Sequence, residues 1–423
     1  MNMKPEVNAA RLLASVADFA AIGATPAGGV NRQALGVEDR VARRLLAERA
    51  LARGFSVFQD EIANLFIRRE GRDASLPPLL IGSHLDSQPN GGRFDGALGT
   101  LSAFEALEAL ADAGVETDHA VEVVAFTNEE GSRYAPGCMG SMAFAGAGAL
   151  AEWQSIHATD GPVLAEELAT TLAALPEAKM RPIGHAISAF VELHIEQGPI
   201  LEREDVPIGV VTAVQGTKWL EVTFSGKAAH AGTTPLEFRK DPMSAAVAAI
   251  ASLQSAIMPT DPDARLTVGR IAAEPGSINV IPNSVTFTVD IRHPDAATLA
   301  VIERHVRDEC EAASARWDCE LAIKQRVDMP PGRFAQSIVE AIENSCERLG
   351  LKSRRMVSGA FHDALFVNRV APTAMIFVPC RDGISHNEAE FVADHHMISG
   401  ARVLLDVVER LGANSKAFRS TSL

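Results

Sequence analysis

The sequence predicts an α/β fold, a mostly parallel sheet flanked by helices and interrupted by an inserted α+β domain. Three observations carry this expectation. Predominantly apolar runs at residues 79–81, 120–126, 189–193 and 373–378 have the length of strands buried on both faces. Helical stretches lie between them, such as 101–113 with Gly114 as its stop, and this β-α-β rhythm calls for crossover connections in a parallel sheet. Between residues 212 and 330 the rhythm gives way to alternating strands around two helices, the pattern of a separate α+β unit. A chain of 423 residues is also long for one core. The expected division is therefore residues 1–211 with 331–423 as the main domain and 212–330 as the insertion.

Taken in order, residues 8–21 and 37–54 place apolar side chains at helical spacing, the second with arginines opposite and Gly54 as a stop. Residues 55–68 alternate as a strand pair, and a polar turn at Gly71, Arg72 and Asp73 leads into the first buried run. Residues 133–147 are rich in Gly, Ala and Met and are expected to pack near the strand ends, and 151–182 reads as helices. In the insertion, 210–224 alternates as one strand, and the Ala-rich stretch 245–257, flanked by Pro242 and Pro259, is a packed helix. Strands are expected at 266–271, 277–281 and 285–291 and a helix at 296–316. A helix at 334–349 precedes the last buried strand.

Composition excludes several classes of function. Hydrophobic residues at 47% and charged ones at 22% are those of an ordinary globular chain. A net charge of −15 repels nucleic acid and anionic membranes alike, and aromatics at 5% supply no base-stacking platform. A small substrate or a cation remains compatible. The five cysteines (Cys138, Cys310, Cys319, Cys346, Cys380) are scattered and form no C-x-x-C pair, which fits neither a disulfide framework nor a zinc ribbon. With Pro5, Glu6, Arg11 and Asp18 interrupting the N-terminal apolar residues, no signal-peptide core forms. The expected location is the cytoplasm.

The chemistry gathers where the buried strands end. His84 closes the first run, Asp86 follows two residues on, where its carboxylate could accept the other imidazole N–H, and Asp95 sits on a turn with Gly91, Gly92 and Gly96. Glu129 and Glu130 follow the second strand, and adjacent side chains there point in different directions, so they can take different tasks. His194 follows the third strand and His386 lies in the loop after the fourth. Each of these histidines alone has an ordinary reading as a surface or core residue. Their recurrence after successive buried strands favours a metal centre. Three imidazoles and two carboxylates, with one carboxylate to spare, suit two divalent ions that share a bridging acid. Imidazole and carboxylate without thiolate favour zinc, manganese, cobalt or nickel.

The motifs GSHLDS, NGGRFDG, FTNEEGSR, ELHIEQGP, GKAAHAGTTP, SINVIP, DIR and GISHNE make the chain resemble, over nearly its whole length, the M20-type dinuclear metallohydrolases. The resemblance is to their hydantoinase/carbamoylase branch of N-carbamoyl-L-amino acid hydrolases, β-ureidopropionases and allantoate amidohydrolases. It implies a zinc-exopeptidase-like catalytic domain with an inserted lid and dimerisation domain, and a homodimer formed through that lid. It implies that His84 and His194 each hold one metal, that Asp95 bridges both, and that Glu130 and His386 complete the two sets. Glu129 would be the general base, Asp86 the orienter of His84 and His230 the oxyanion donor, while Gln215, Asn279, Arg292 and Gly359 would bind substrate, its carboxylate falling to Arg292. Some of these groups would reach the site from the neighbouring subunit. The implied reaction is hydrolysis of a carbamoyl C–N bond in an N-carbamoyl-amino acid or allantoate, with release of ammonia and carbon dioxide. The competing readings are an aminoacylase or dipeptidase of the same metal architecture, and an inactive metal-binding scaffold. Against the scaffold stands the presence of Glu129 together with all five ligand positions. Phe361 departs from the small residue common in the family before His-Asp, and Cys380 reads as a packing residue.

Overall fold

Four strands carry the architecture of the larger part of the chain: β1 (Leu79–His84), β2 (Val121–Phe126), β3 (Ala189–Ile195) and β4 (Thr373–Val378). A computed structural model describes residues 4–258 and 260–413. Pro259, expected to flank the Ala-rich helix, and the ends of the 1–211 and 331–423 segments lie outside those residues. The chain divides into two compact units, Met1–Thr212 with Phe334–Leu423, and Ala213–Arg333.

In the first unit the four strands run parallel in the order β4-β3-β1-β2. Every residue in them is buried, because helices cover both faces, and this is why their sequences are predominantly apolar. Register then decides where their ends fall. His84 pairs level with Phe126, and His194 level with Phe377. Leu79 pairs with Ala189, and continuing that register brings His84 level with His194. Antiparallel strands extend the sheet on both sides, Ile208–Val214 beside β4, and Leu65–Arg69 followed by Ser56–Gln59 beside β2. Helix α1 (Ala97–Asp112) packs on β1 and β3 and is buried along almost its whole length. Helix α2 (Asp363–Val367) contacts β3 and β4, and α3 (Asp394–Gly412) packs on α1 and β4.

The second unit is an antiparallel sheet in the order Arg265–Thr267, Ser284–His293, Gly216–Ser225, Glu320–Met329, with Ile271–Glu274 also on Ser284–His293. Strict alternation of buried and half-buried residues along Ser284–His293 turns one face to the helices Pro242–Ile257 and Ala296–Trp317. Asp241 and Asp295 cap those helices, accepting from the amides of Met243 and Ser244 and of Thr298.

The strand expected over 210–224 breaks at Gln215. Ile208–Val214 joins the first sheet and Gly216–Ser225 the second. Gly216 lies where the chain passes Pro331, and a Cβ there would sit 2.6 Å from the proline ring. The strand expected at 266–271 separates into Arg265–Thr267 and Ile271–Glu274, and that at 277–281 shrinks to Val280–Ile281, paired with Ala229–His230. Among the described residues no helix is long and apolar enough to cross a membrane, and all five cysteines are buried and unbridged.

Candidate metal centre

The aligned strand ends bring the sequence-named ligands together around Asp95. One donor atom each from His84, Asp95 and His194 lie within 4.8 Å of one another, and so do donors from Asp95, Glu130 and His386. Asp95 belongs to both sets. Its Oδ1 is 3.1 Å from His194 Nε2 and 3.6 Å from His84 Nε2, and its Oδ2 is 3.4 Å from His386 Nε2. Glu130 Oε2 lies 3.3 Å from the same His386 nitrogen, and Glu129 Oε2 lies 3.5 Å from His84 Nε2.

Local backbone chemistry fixes these aims. His84 Nδ1 is 2.9 Å from the main-chain oxygen of Asp86, and His194 Nδ1 is 3.0 Å from that of Ile195. Both rings therefore carry the proton on Nδ1 and turn the Nε2 lone pair toward Asp95. Here the orienting group differs from the sequence expectation, because the Asp86 carbonyl, not its carboxylate, receives the bond. The carboxylate, 3.8 Å from His84 Nδ1, instead accepts from the amides of Glu129 and Glu130 at 3.3 and 3.2 Å. Asp86 thus ties the His84 turn to the Glu129 loop. Gly96, with φ +61, lets the Asp95 turn close on the imidazole.

Electrostatics show a site short of positive charge. Burial would push His84 and His194 down, yet the surrounding carboxylates hold both imidazoles above their ordinary value. Burial would raise Asp95, but three facing imidazoles hold it well below the usual range. Burial and the charge on Asp95 lift Glu130 to about 7, and burial lifts Glu129 well above the ordinary carboxylate value. His84 Nε2 is buried with no hydrogen-bond partner, which an imidazole tolerates poorly unless a cation takes its lone pair. The donor set therefore fits divalent metal. A third trio, Glu192, His194 and His362, is also close enough to hold an ion. There the Glu192 carboxylate is already engaged by Ser83 Oγ at 2.6 Å and the Ala364 amide at 3.0 Å.

Residues 80–410 match the family described as Peptidase family M20/M25/M40. The chain is 40% identical over 402 residues to an N-carbamoyl-L-amino-acid amidohydrolase of Rhizobium meliloti, covering 95% of this chain and 96% of that one. It is 36% identical to an allantoate amidohydrolase of Escherichia coli (strain K12), over 91% of this chain and 94% of the other. A crystal structure of a hydantoinase/carbamoylase family amidase from Burkholderia multivorans superposes with TM-score 0.91 at 43% identity, covering 97% of this chain and 99% of that one. The chain belongs to the M20 family. It is a hydrolase similar along its length to that family's hydantoinase/carbamoylase amidases.

In this M20 hydrolase the remaining sequence-named residues divide between the units. Gly359 follows the strand Ser353–Ser358 in the first unit, and a Cβ there would meet nothing within 4 Å. Half-buried Phe361 precedes His362, whose ring lies edge-on to His194 at 4.5 Å between centroids. Gln215, His230, Asn279 and Arg292 belong to the second unit. His230 Nδ1 accepts from the amides of Gly232 and Thr233 at 3.1 Å, so the neutral ring carries its proton on Nε2. Asn279 lies beside it, its carbonyl accepting from the Ala231 amide at 3.0 Å. The Arg292 guanidinium is engaged by Asp290 at 2.8–3.2 Å, and Gln215 is buried with Oε1 unpaired. Burial pushes the Cys380 thiol up to about 12, in keeping with a packing residue.

Sequence reasoning missed the groups that support the cluster. Gln197 Nε2 and Ser385 Oγ lie 2.9 and 3.0 Å from Asp95 Oδ2, and Cys138 Sγ lies 3.7 Å from Glu129 Oε1. Glu390 accepts from the amides of Phe94 and Asp95. Gln197 and Ser385 stand within three residues of His194 and one of His386, and that proximity was the one signal available.

Proposed function

We propose that this protein is a metal-dependent amidohydrolase that cleaves the carbamoyl C–N bond of N-carbamoyl-amino acids or allantoate, releasing ammonia and carbon dioxide. The observation that carries the reading is Asp95 shared between two donor sets, with Glu129 alongside and in neither. His84 and His194 would hold one ion together, not one each as the resemblance implies, with Glu130 and His386 on the other and Asp95 on both, and zinc, manganese, cobalt or nickel match these donors. When bound, the ions supply Lewis acidity to the attacking water and the ureido carbonyl.

The protein's own groups do the rest. The Glu129 carboxylate accepts a proton from the water as its oxygen attacks the carbamoyl carbon, then returns it to the departing nitrogen as the C–N bond breaks, and the carbamic acid left behind breaks down to carbon dioxide and the second amine. A carboxyl whose pKa is raised by burial suits both halves of that task. His230, as the Nε2–H tautomer, donates to the carbonyl oxygen as negative charge grows on it. The Arg292 fork binds the substrate carboxylate, taking over from Asp290, with Gln215, Asn279 and Gly359 as further substrate contacts. The second unit serves as lid and as the surface for a homodimer, and the five free cysteines suit a reducing cytoplasm.

The test is ammonia release from N-carbamoyl-α-amino acids, N-carbamoyl-β-alanine and allantoate, with N-acetyl-amino acids and dipeptides alongside, before and after EDTA. Turnover of a ureido substrate that EDTA abolishes and added divalent metal restores is expected. Faster turnover of N-acetyl-amino acids or dipeptides would replace the reading with an aminoacylase or dipeptidase. No turnover by metal-loaded protein would leave a binding scaffold. Light scattering on the same preparation should give about twice the 45.0 kDa chain mass, and a monomer would rule out the dimer.

A further inference from the structure

Glu390 lies four residues beyond His386 and 295 residues beyond Asp95, yet its carboxylate is buried against the turn that carries Asp95. Oε1 accepts from the amides of Phe94 and Asp95 at 2.9 and 3.1 Å. Oε2 faces Ser385 Oγ at 3.1 Å, and that hydroxyl also faces Asp95 Oδ2 at 3.0 Å and Gln197 Nε2 at 3.1 Å. One hydroxyl proton thus stands between two carboxylates, with the Gln197 amide donating to the oxygen from the other side. The turn is wrapped closely around Glu390, since a Cβ on Gly92 would lie 2.0 Å from its carboxyl carbon. On its own side Glu390 donates its amide to the Asn387 carbonyl at 3.0 Å. His386 sits in that loop with φ +53, a conformation a histidine keeps only where its surroundings impose it.

We infer that Glu390 is a positioning residue for the metal centre, holding the Asp95 turn and the His386 loop against each other. The inference rests on the metal-centre reading proposed above. Its physical basis is a difference in how the ligands are held. His84 ends one fully buried strand and His194 lies one residue from the end of another, with their rings fixed by main-chain oxygens. Half-exposed His386 comes from a loop, and among the described residues no main-chain oxygen holds its ring. Metal–ligand distances tolerate about ±0.2 Å, so the Asp95–Glu130–His386 set needs the two segments fixed relative to each other. Glu390 bonds to both. Ser385 extends the link to Asp95 Oδ2, the oxygen that faces His386.

The experiment is zinc titration of the apo full-length protein against a chromophoric chelator, with bound metal counted by elemental analysis, for wild type, E390A, E390Q, S385A and the ligand variant H386A. Wild type is expected to take two ions. E390A should weaken one of them by about 10–100-fold, the range seen when a group supporting a ligand is removed, in the direction of H386A, and leave the other as in wild type. E390Q should stay within about threefold of wild type, because its carboxamide oxygen still accepts from the two amides and its NH₂ can donate to Ser385. Wild-type affinities in E390A, or an equal loss at both ions, would overturn the inference. Should E390A fail to fold, S385A decides: selective weakening of one ion supports the inference, and two unchanged affinities overturn it. Wild type taking fewer than two ions would instead bring down the dinuclear reading beneath it.

Discussion

Replacing Gly96 with alanine adds one methyl group at the most crowded point of the site. Its Cβ would lie 2.2–2.4 Å from three atoms of the His84 imidazole, against a favourable carbon contact of roughly 3.5–4.0 Å. The ring or the turn must therefore move by more than about 1 Å. The ring cannot retreat easily, being fully buried with Nδ1 tied to the Asp86 carbonyl. Two energies add. The sparsely populated backbone at φ +61, ψ −50 disfavours alanine by about 1–3 kcal/mol, and overpacking contributes about 1–3 more, so roughly 2–6 kcal/mol of stability is lost. The larger effect falls on function, because a displacement near 1 Å in a positioned group lowers rate by about 10²-fold. Gly114→Ala is the control, since it has φ +63 but nothing within 4 Å of its Cβ. It should lose only the backbone share and keep full metal content. Elemental analysis, kcat/KM and chemical denaturation of the apo forms separate the effects. If G96A holds its metal as wild type does and turns over within about twofold of it, the proposed packing of Gly96 against a ligand is wrong.

The main sheet was legible because burial on both faces leaves a plain mark on composition. Residues 120–126 and 373–378 correspond to β2 and β4 to within a residue, and the crossover rhythm predicted their parallel order. Helix α1 begins four residues earlier than expected, at Ala97, because a helix buried on nearly every side shows no 3.6-residue contrast at its start. Glu320–Met329 received no residue bounds, although half-buried Leu321, Ile323, Val327 and Met329 alternate with exposed residues along this edge strand. The break at Gln215 was hidden for a different reason. Alternation continues across it, and the close neighbour of Gly216 beyond the break, Pro331, lies more than a hundred residues away in sequence.

The clustering of the proposed ligands was readable by position, since a side chain presented where a buried parallel strand ends lies at the sheet edge where such folds bind. Their supports were not. Glu390 and Ser385 act on Asp95 across 295 and 290 residues, and Glu192 is engaged by Ser83 across 109, distances at which one sequence offers no pairing signal. Asp86 marks a finer boundary. Its spacing from His84 announced an orienting contact, but spacing does not distinguish a carbonyl from a carboxylate on the same residue, and the backbone supplied the bond.

Glu129→Gln should keep near-normal metal content, because Glu129 stands outside both donor sets, while kcat falls by about 10²–10⁴-fold; unchanged kcat in metal-loaded E129Q would remove Glu129 from its role. The last prediction concerns acid stability and involves Glu122 on β2. Burial alone would raise its carboxyl, but His185 Nε2 at 2.8 Å and Arg181 at 2.8 and 3.0 Å bring it down from its ordinary 4.5 to about 2. A pKa lower in the folded state than in the unfolded one gives stability that is full above pH 4.5 and disappears as pH falls toward 2. The drop of about 2.5 units corresponds to roughly 3 kcal/mol. Urea denaturation from pH 6 to pH 2.5 should therefore show Glu122→Gln less stable than wild type at pH 6, with the gap closing as pH falls because wild type alone loses this contribution. Parallel curves through that window would mean that Glu122 is protonated alike in both states, and that its ion pairs add nothing to acid resistance.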